Sequence, residues 1–302
     1  MALSKKAILR RILIPIYTIA LLLVLAFEIG APYMIMHPFK LKQATTAAAM
    51  KLNFVPMNIK TSDGIYLRGE LVLPEHQAVR GTLIMVHGIN GNRSFYFKTA
   101  QQLSESGIAV MVFDSRAHGE SGGEYCTYGY NEKYDIKTIV DTLQQRLTNV
   151  PIGIWGHSLG GAVSLQALEF DKRLSFGIIE STFASLNDIV YDYMKVRFGF
   201  KVRFLSNHAL HRAGSMANFE PDEVQPIESV KHISQPLFFG HGDQDHNISF
   251  EYGKTLFENA VSSEKEFHAI HGAGHNNLGR VGGVAYNAQI LAFIEKHILK
   301  KV

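Results

Sequence analysis

From residue 52 onward, short apolar runs alternate with longer stretches of helical period. Residues 54–59 and 65–73 read as two strands around the Asp63-Gly64 turn, a hairpin signal. Residues 82–86, 108–113, 152–155, 176–179, 236–239 and 266–270 are further apolar runs of strand length. Helical spacing falls at 95–105, 130–146, 159–170, 250–261 and 284–299. In the second of these, Ile136, Ile139, Val140, Leu143 and Leu147 share one face. An opening hairpin followed by strands and helices in turn predicts an α/β domain over 52–302, a mostly parallel eight-stranded sheet with helices on both faces. One stretch, 186–230, breaks the alternation. It mixes Tyr191, Phe198, Phe200 and Phe204 with Lys195, Arg197, Lys201 and Arg203, and reads as a short cap inserted over the sheet top.

The N-terminal pattern is different. Residues 1–11 carry Lys5, Lys6, Arg10 and Arg11 and no acid, and residues 12–27 are apolar apart from Thr18 and the Tyr17 hydroxyl. As a helix those sixteen residues would span about 24 Å, short of a hydrocarbon core of roughly 30 Å. Glu28-Ile29-Gly30 fits a signal-peptidase site poorly. The expectation is an uncleaved anchor over 1–36 that makes a single pass, then a polar connector over 37–51. A cleaved signal with a secreted product, and a soluble helix packed on the domain, are the alternatives. The positive flank places the N-terminus in the cytoplasm and the main domain outside, although Lys40, Lys42 and Lys51 weaken the asymmetry.

Composition changes this picture little. The 302 residues are 46% hydrophobic and 19% charged with a net charge of +3, and no basic stripe interleaved with aromatics points to nucleic acid. The length suffices for a large core without staples. The single cysteine, Cys126, excludes an internal disulfide, and no activating motif surrounds it. No P-loop, dinucleotide fingerprint or HExxH occurs, so neither metal nor organic cofactor is expected.

The candidate chemistry lies at the carboxyl ends of the expected strands, where open α/β sheets form sites. Gly156-His157-Ser158-Leu159-Gly160 matches G-x-S-x-G between an apolar strand and a helix that opens with small residues. That turn is strained, exposes the serine oxygen and needs glycine two positions either side. Ser158 is the expected nucleophile. A serine hydroxyl needs a base, and chain order Ser, acid, His puts it at His275, in Gly274-His275 past the last strand, with His271 the nearest rival. Asp245 is the preferred acid. Asp243 and Glu180 are its competitors, and the first suits turn stiffening better. Backbone amides of Ile89 and Leu159 are placed by position for an oxyanion hole. His87 reads as a residue that fixes its loop.

Together these residues resemble the α/β-hydrolase superfamily over roughly 52–300. Within it the chain is most similar to the serine aminopeptidase S33, monoacylglycerol-lipase-like and Bem46-like group. The marks are His87-Gly88 with Gly91-Asn92-Arg93, Asp114-Ser115-Arg116-Ala117-His118-Gly119-Glu120-Ser121-Gly122-Gly123, Gly156-His157-Ser158-Leu159-Gly160-Gly161 and Gly274-His275. Ala117 stands where the group commonly has glycine, and Ser249 where proline usually follows the acid. The resemblance implies that the Asp114 segment is a structural loop. It also implies a carboxylesterase- or lipase-like serine hydrolase working through an acyl-enzyme. An acyltransferase, thioesterase or peptidase with the same three residues is the alternative, and a non-catalytic anchored relative a further one. The cap's aromatic and aliphatic content favours a small-molecule substrate with an apolar acyl or alkyl part. The membrane, met through the N-terminal helix, is the other expected partner, and no obligate protein partner is evident.

Overall fold

A computed structural model describes residues 5–299. Its sheet has eight strands in the order β1-β2-β4-β3-β5-β6-β7-β8. These are β1 (Phe54–Lys60), β2 (Tyr66–Val72), β3 (Gly81–Val86), β4 (Ile108–Phe113), β5 (Ile152–His157), β6 (Leu174–Glu180), β7 (Leu237–Gly242) and β8 (Lys265–Ile270). Only β2 runs against its neighbours; β4-β3-β5-β6-β7-β8 are parallel. Every residue of β3 and β4 is buried, as continuous apolar runs in a sheet covered on both faces require.

The helices are α1 (Lys5–Met36), α2 (Phe97–Glu105), α3 (Glu132–Arg146), α4 (Leu159–Phe170), α5 (Leu186–Phe198), α6 (Arg203–Ala217), the short α7 (Pro226–Ser229), α8 (Phe250–Asn259) and α9 (Leu278–Leu299). Ile136 and Leu143 of α3, Val163 and Leu168 of α4 and Leu256 of α8 pack on one sheet face. Phe97 and Leu103 of α2 and Ile290, Phe293 and Ile294 of α9 pack on the other. The chain order reverses between β3 and β5, and the crevice above that point is where such sheets place their sites.

The expected cap is two helices, α5 and α6, with short turns after them. Beneath it Phe183, Leu186, Ile189, Leu210 and Phe219 form a small core that also takes in Met36 of α1. The apolar N-terminal stretch is longer than its first sixteen residues suggest. α1 continues through Pro32, and its window Leu9–Met36 is long and apolar enough to cross a membrane by length and composition. At 1.5 Å per residue those 28 residues reach about 42 Å. Residues 9–26 are exposed, and Thr18, the only hydroxyl-bearing aliphatic among them, bonds its own helix through the Ile14 carbonyl.

Residues 37–51 lie against the loop after β3. Asn90 accepts the Phe39 amide at 2.7 Å, Asn92 donates to the Leu41 carbonyl at 3.2 Å, and Ser94 accepts the Ala44 amide at 3.3 Å.

Candidate active site

Ser158 sits between the last residue of β5 and the first of α4, with φ 57° and ψ −121°. A non-glycine residue there is strained, and the surroundings hold it. Its amide donates to the Glu180 carbonyl at 2.9 Å, and its own carbonyl accepts Thr182 Oγ1 at 2.7 Å. Space dictates the two glycines. A Cβ on Gly156 would lie 2.1 Å from the Gly160 oxygen, and one on Gly160 would lie 2.0 Å from the Val86 oxygen. Leu159 opens α4, so its amide lacks an acceptor within the helix. Ile89 borders the same cleft, next to Gly88, which packs on the Ser158 side chain.

His275 comes back over this turn from the loop after β8. Its Nε2 lies 2.9 Å from Ser158 Oγ and its Nδ1 lies 2.7 Å from Asp245 Oδ2. An imidazole that donates from Nδ1 to the carboxylate presents an acceptor to the serine hydroxyl. Asp245 is fixed from behind. Its Oδ1 accepts the amides of Asn247 and Ile248, both at 2.9 Å, and Nε2 of buried His241 lies 3.5 Å from Oδ2. Burial alone would raise the Asp245 pKa, but hydrogen bonds from His241 and His275, the His275 charge and the Ile248 amide outweigh it and hold the carboxyl well below its usual range. β7 runs three residues past its expected end, because Gly240-His241-Gly242 continues the ladder with β8. A Cβ on Gly242 would meet the Ala273 oxygen at 2.2 Å, so glycine lets the two loops close on each other.

The competing residues meet other partners. Asp243 accepts the Gly272 amide at 2.7 Å and faces His271 Nδ1 at 2.5 Å, a second tie between the loops after β7 and β8. The His271 side chain is almost fully exposed. Glu180 is buried and takes Trp155 Nε1–H at 2.8 Å and the Tyr286 hydroxyl at 2.6 Å. Burial pushes its pKa up, with those two donors opposing. Cys126 is buried, and burial raises its thiol well above the ordinary value.

The segment after β4 supports the site from below. Arg93 binds Glu70, Asp114 and Glu120, and Arg116 forms a two-pronged pair with Asp135 at 2.7 Å on both arms. Ser121 accepts the Arg68 amide and donates to the Asp114 carbonyl. His87 donates from Nδ1 to the Gly88 carbonyl at 2.8 Å, and its Nε2 accepts the Ser115 amide at 3.0 Å, joining the loops after β3 and β4.

That neutral ring makes stability depend on pH. Burial first, and neighbouring His118 second, push the His87 pKa down to about 3. The unfolded chain therefore takes up a proton near pH 6.5 that the folded chain refuses, and stability falls as pH drops from that value toward 3. Between pH 7 and pH 5 this one group is expected to cost about 2 kcal/mol. Urea unfolding at the two pH values should show that difference shrinking by the same amount in His87→Gln, which keeps an acceptor for Ser115. An unchanged difference would refute this account.

Sequence reasoning missed three neighbours of the site. His157 packs on His275 with ring centroids 4.9 Å apart and faces Asn276 Oδ1 at 3.3 Å. Desolvation and then the charge of His275 lower its pKa to about 4, so the second imidazole stays neutral. His241 backs Asp245. Tyr286 reaches Glu180 from α9, across 106 residues. Only His157 had a local signal, its place inside the elbow. The cleft above these groups holds about 670 Å3, with Leu41, Ile89, Phe95, Tyr193, Leu278 and Ile290 among its apolar walls. Among the described residues, no group of three or more His, Cys, Asp or Glu is arranged to hold a metal ion.

The fold matches that of a solved esterase. An esterase from Pyrococcus furiosus, Pf2001, superposes with a TM-score of 0.73 over 87% of this chain and 98% of its own, at 23% identity. The sequence model of the serine aminopeptidase S33 family matches residues 77–212, which hold the elbow and the loops after β3 and β4. The chain has the α/β-hydrolase fold. The chain is 25% identical over 203 residues to the Bacillus subtilis (strain 168) protein YqkD, covering 66% of each chain. It is 28% identical over 235 residues to the lysophosphatidylserine lipase ABHD12 of Macaca fascicularis, covering 72% of this chain and 56% of that one. The chain thus spans between about a half and two thirds of the length of these relatives.

Proposed function

We propose that this α/β-hydrolase is a serine hydrolase that cleaves carboxylic esters with an apolar acyl part. The observation that carries the reading is the chain of hydrogen bonds from Ser158 Oγ through His275 to Asp245. In this mechanism His275 Nε2 takes the hydroxyl proton while Ser158 attacks the carbonyl carbon. Asp245 keeps the proton on Nδ1 and stabilises the imidazolium. The amides of Ile89 and Leu159 receive the oxyanion, at the positive end of α4. His275 then protonates the leaving alcohol, and a water activated by the same ring releases the acyl group. The lipase and esterase names of the relatives support acyl-ester cleavage, and the apolar cleft walls support a hydrophobic acyl part. We also propose that α1 crosses a membrane with Arg10 and Arg11 on the cytoplasmic side, which leaves the catalytic body outside.

A fluorophosphonate probe tests the nucleophile. The folded chain is expected to take one label, on the peptide that contains Ser158, and Ser158→Ala to take none. A folded chain that stays unlabelled, or a variant that still labels, would refute the reading. Turnover of p-nitrophenyl esters of graded length then reports the acyl preference, with thioester and amide analogues as comparison.

A further inference from the structure

Residues 195–204, the last turn of α5, the connection and the start of α6, are all exposed. They hold five large apolar side chains: Val196, Phe198, Phe200, Val202 and Phe204. Phe198 is 57% and Phe204 74% exposed. Water-facing patches of this kind mark an interaction surface. Four cations, Lys195, Arg197, Lys201 and Arg203, are interleaved with them. Lys201 and Arg203 are partly compensated by Asp192 and Asp188.

The position of this tip says what covers it. Phe204 stacks on His208, and His208 stacks on Phe27 of α1 at 6.1 Å. Glu28 binds both His208, at 2.6 Å, and Arg212, at 3.1 Å. Phe27 and Glu28 are the first half-buried residues of α1 after the fully exposed run 9–26. The start of α6 therefore stands at the level where the apolar half of α1 leaves the protein body. Aromatic side chains with interleaved cations suit the boundary of a bilayer, where rings sit among head groups and Lys and Arg meet anionic lipid.

We propose that the α5–α6 tip is a second membrane contact, which dips into the interface of an anionic phospholipid bilayer beside α1. This rests on the reading of α1 as a span. The contact has a consequence for access. Tyr193 of α5 borders the cleft that holds Ser158, and the next turn of the same helix begins the exposed segment. One helix thus links the cleft mouth to the bilayer, and a lipid-borne ester reaches the site from the membrane surface.

The full chain in vesicles of phosphatidylcholine with one-fifth phosphatidylserine tests this, with tryptophan placed at two positions over the background of the single native Trp155. Phe200→Trp should be quenched best by lipids with a shallow nitroxide, and Leu22→Trp by lipids with a deep one. Lys195→Glu with Arg197→Glu should weaken the Phe200→Trp quenching in the anionic vesicles. If Leu22→Trp is quenched and Phe200→Trp is not, the tip lies outside the lipid and the proposal fails. Blue-shifted emission there would show a protein surface, such as a second copy, covering it instead. If Leu22→Trp is also unquenched, the anchor reading itself fails. Phe198→Ser with Phe200→Ser should slow hydrolysis of a vesicle-borne long-chain ester about tenfold and leave a soluble short-chain ester unaffected. Equal losses on both would overturn the access route.

Discussion

Ser158→Ala is expected to lower kcat toward a p-nitrophenyl ester by about 10^5-fold or more, with the thermal midpoint kept within about 3 °C. The two halves of that expectation have separate causes. The hydroxyl is the only group of Ser158 that faces His275, so its removal ends the covalent route. What survives is the smaller acceleration from substrate binding and the oxyanion amides, which are backbone groups. The fold tolerates the change because the hydrogen bonds that hold the elbow use the amide and carbonyl of Ser158. Initial rates with the ester, alongside thermal unfolding, check both halves. Residual turnover within about tenfold of the native rate would place the nucleophile elsewhere.

Asp245→Asn should cost about 10^4 in kcat at neutral pH, a loss set by orientation more than by charge. The amides of Asn247 and Ile248 point at Oδ1 and demand an acceptor there. Asparagine satisfies them with its oxygen, which leaves its NH2 facing His275 Nδ1. The ring must then carry its proton on Nε2, where it can no longer accept from Ser158. The variant is also expected to lose stability at pH 7. The Asp245 carboxyl is held below its usual range, so its ionised form stabilises the fold above about pH 4, and the effect fades as pH falls toward the folded value. The difference in melting temperature between the native chain and the variant should narrow in acid. A variant with near-native kcat would remove Asp245 from the mechanism and return attention to Glu180.

The local parts of this fold were legible. β4 and α4 lie where the apolar runs and helical spacing put them, and each is buried on all sides, as its run of apolar and small residues implies. The five-residue turn around Ser158 was legible for the same reason: its constraints are steric and act within a few residues. What the sequence hid depends on distant partners. Gly240 and Gly242 read as punctuation, yet they extend β7, since the space a side chain would need belongs to Tyr286 and Ala273. The pattern preferred Asp245 over Asp243, two positions away, without showing what either one meets. They differ in which loop histidine each meets across about thirty residues. The start of α9 at Leu278 was missed because glycines dilute its first turns, and a break at Gly283 interrupts its period.

Helix α1 lives in two surroundings. Residues 9–26 face outward, whereas Met36 is completely enclosed beneath the cap, and the carbonyls of Ile35 and Met36 take the Tyr128 hydroxyl and the Cys126 amide. Trimming the chain back to residue 40 to gain solubility would therefore pull a plug from the small apolar chamber between α5 and α6. It would leave that chamber open to water and two donors unanswered. A shortened chain that is meant to stay intact should begin near Phe27.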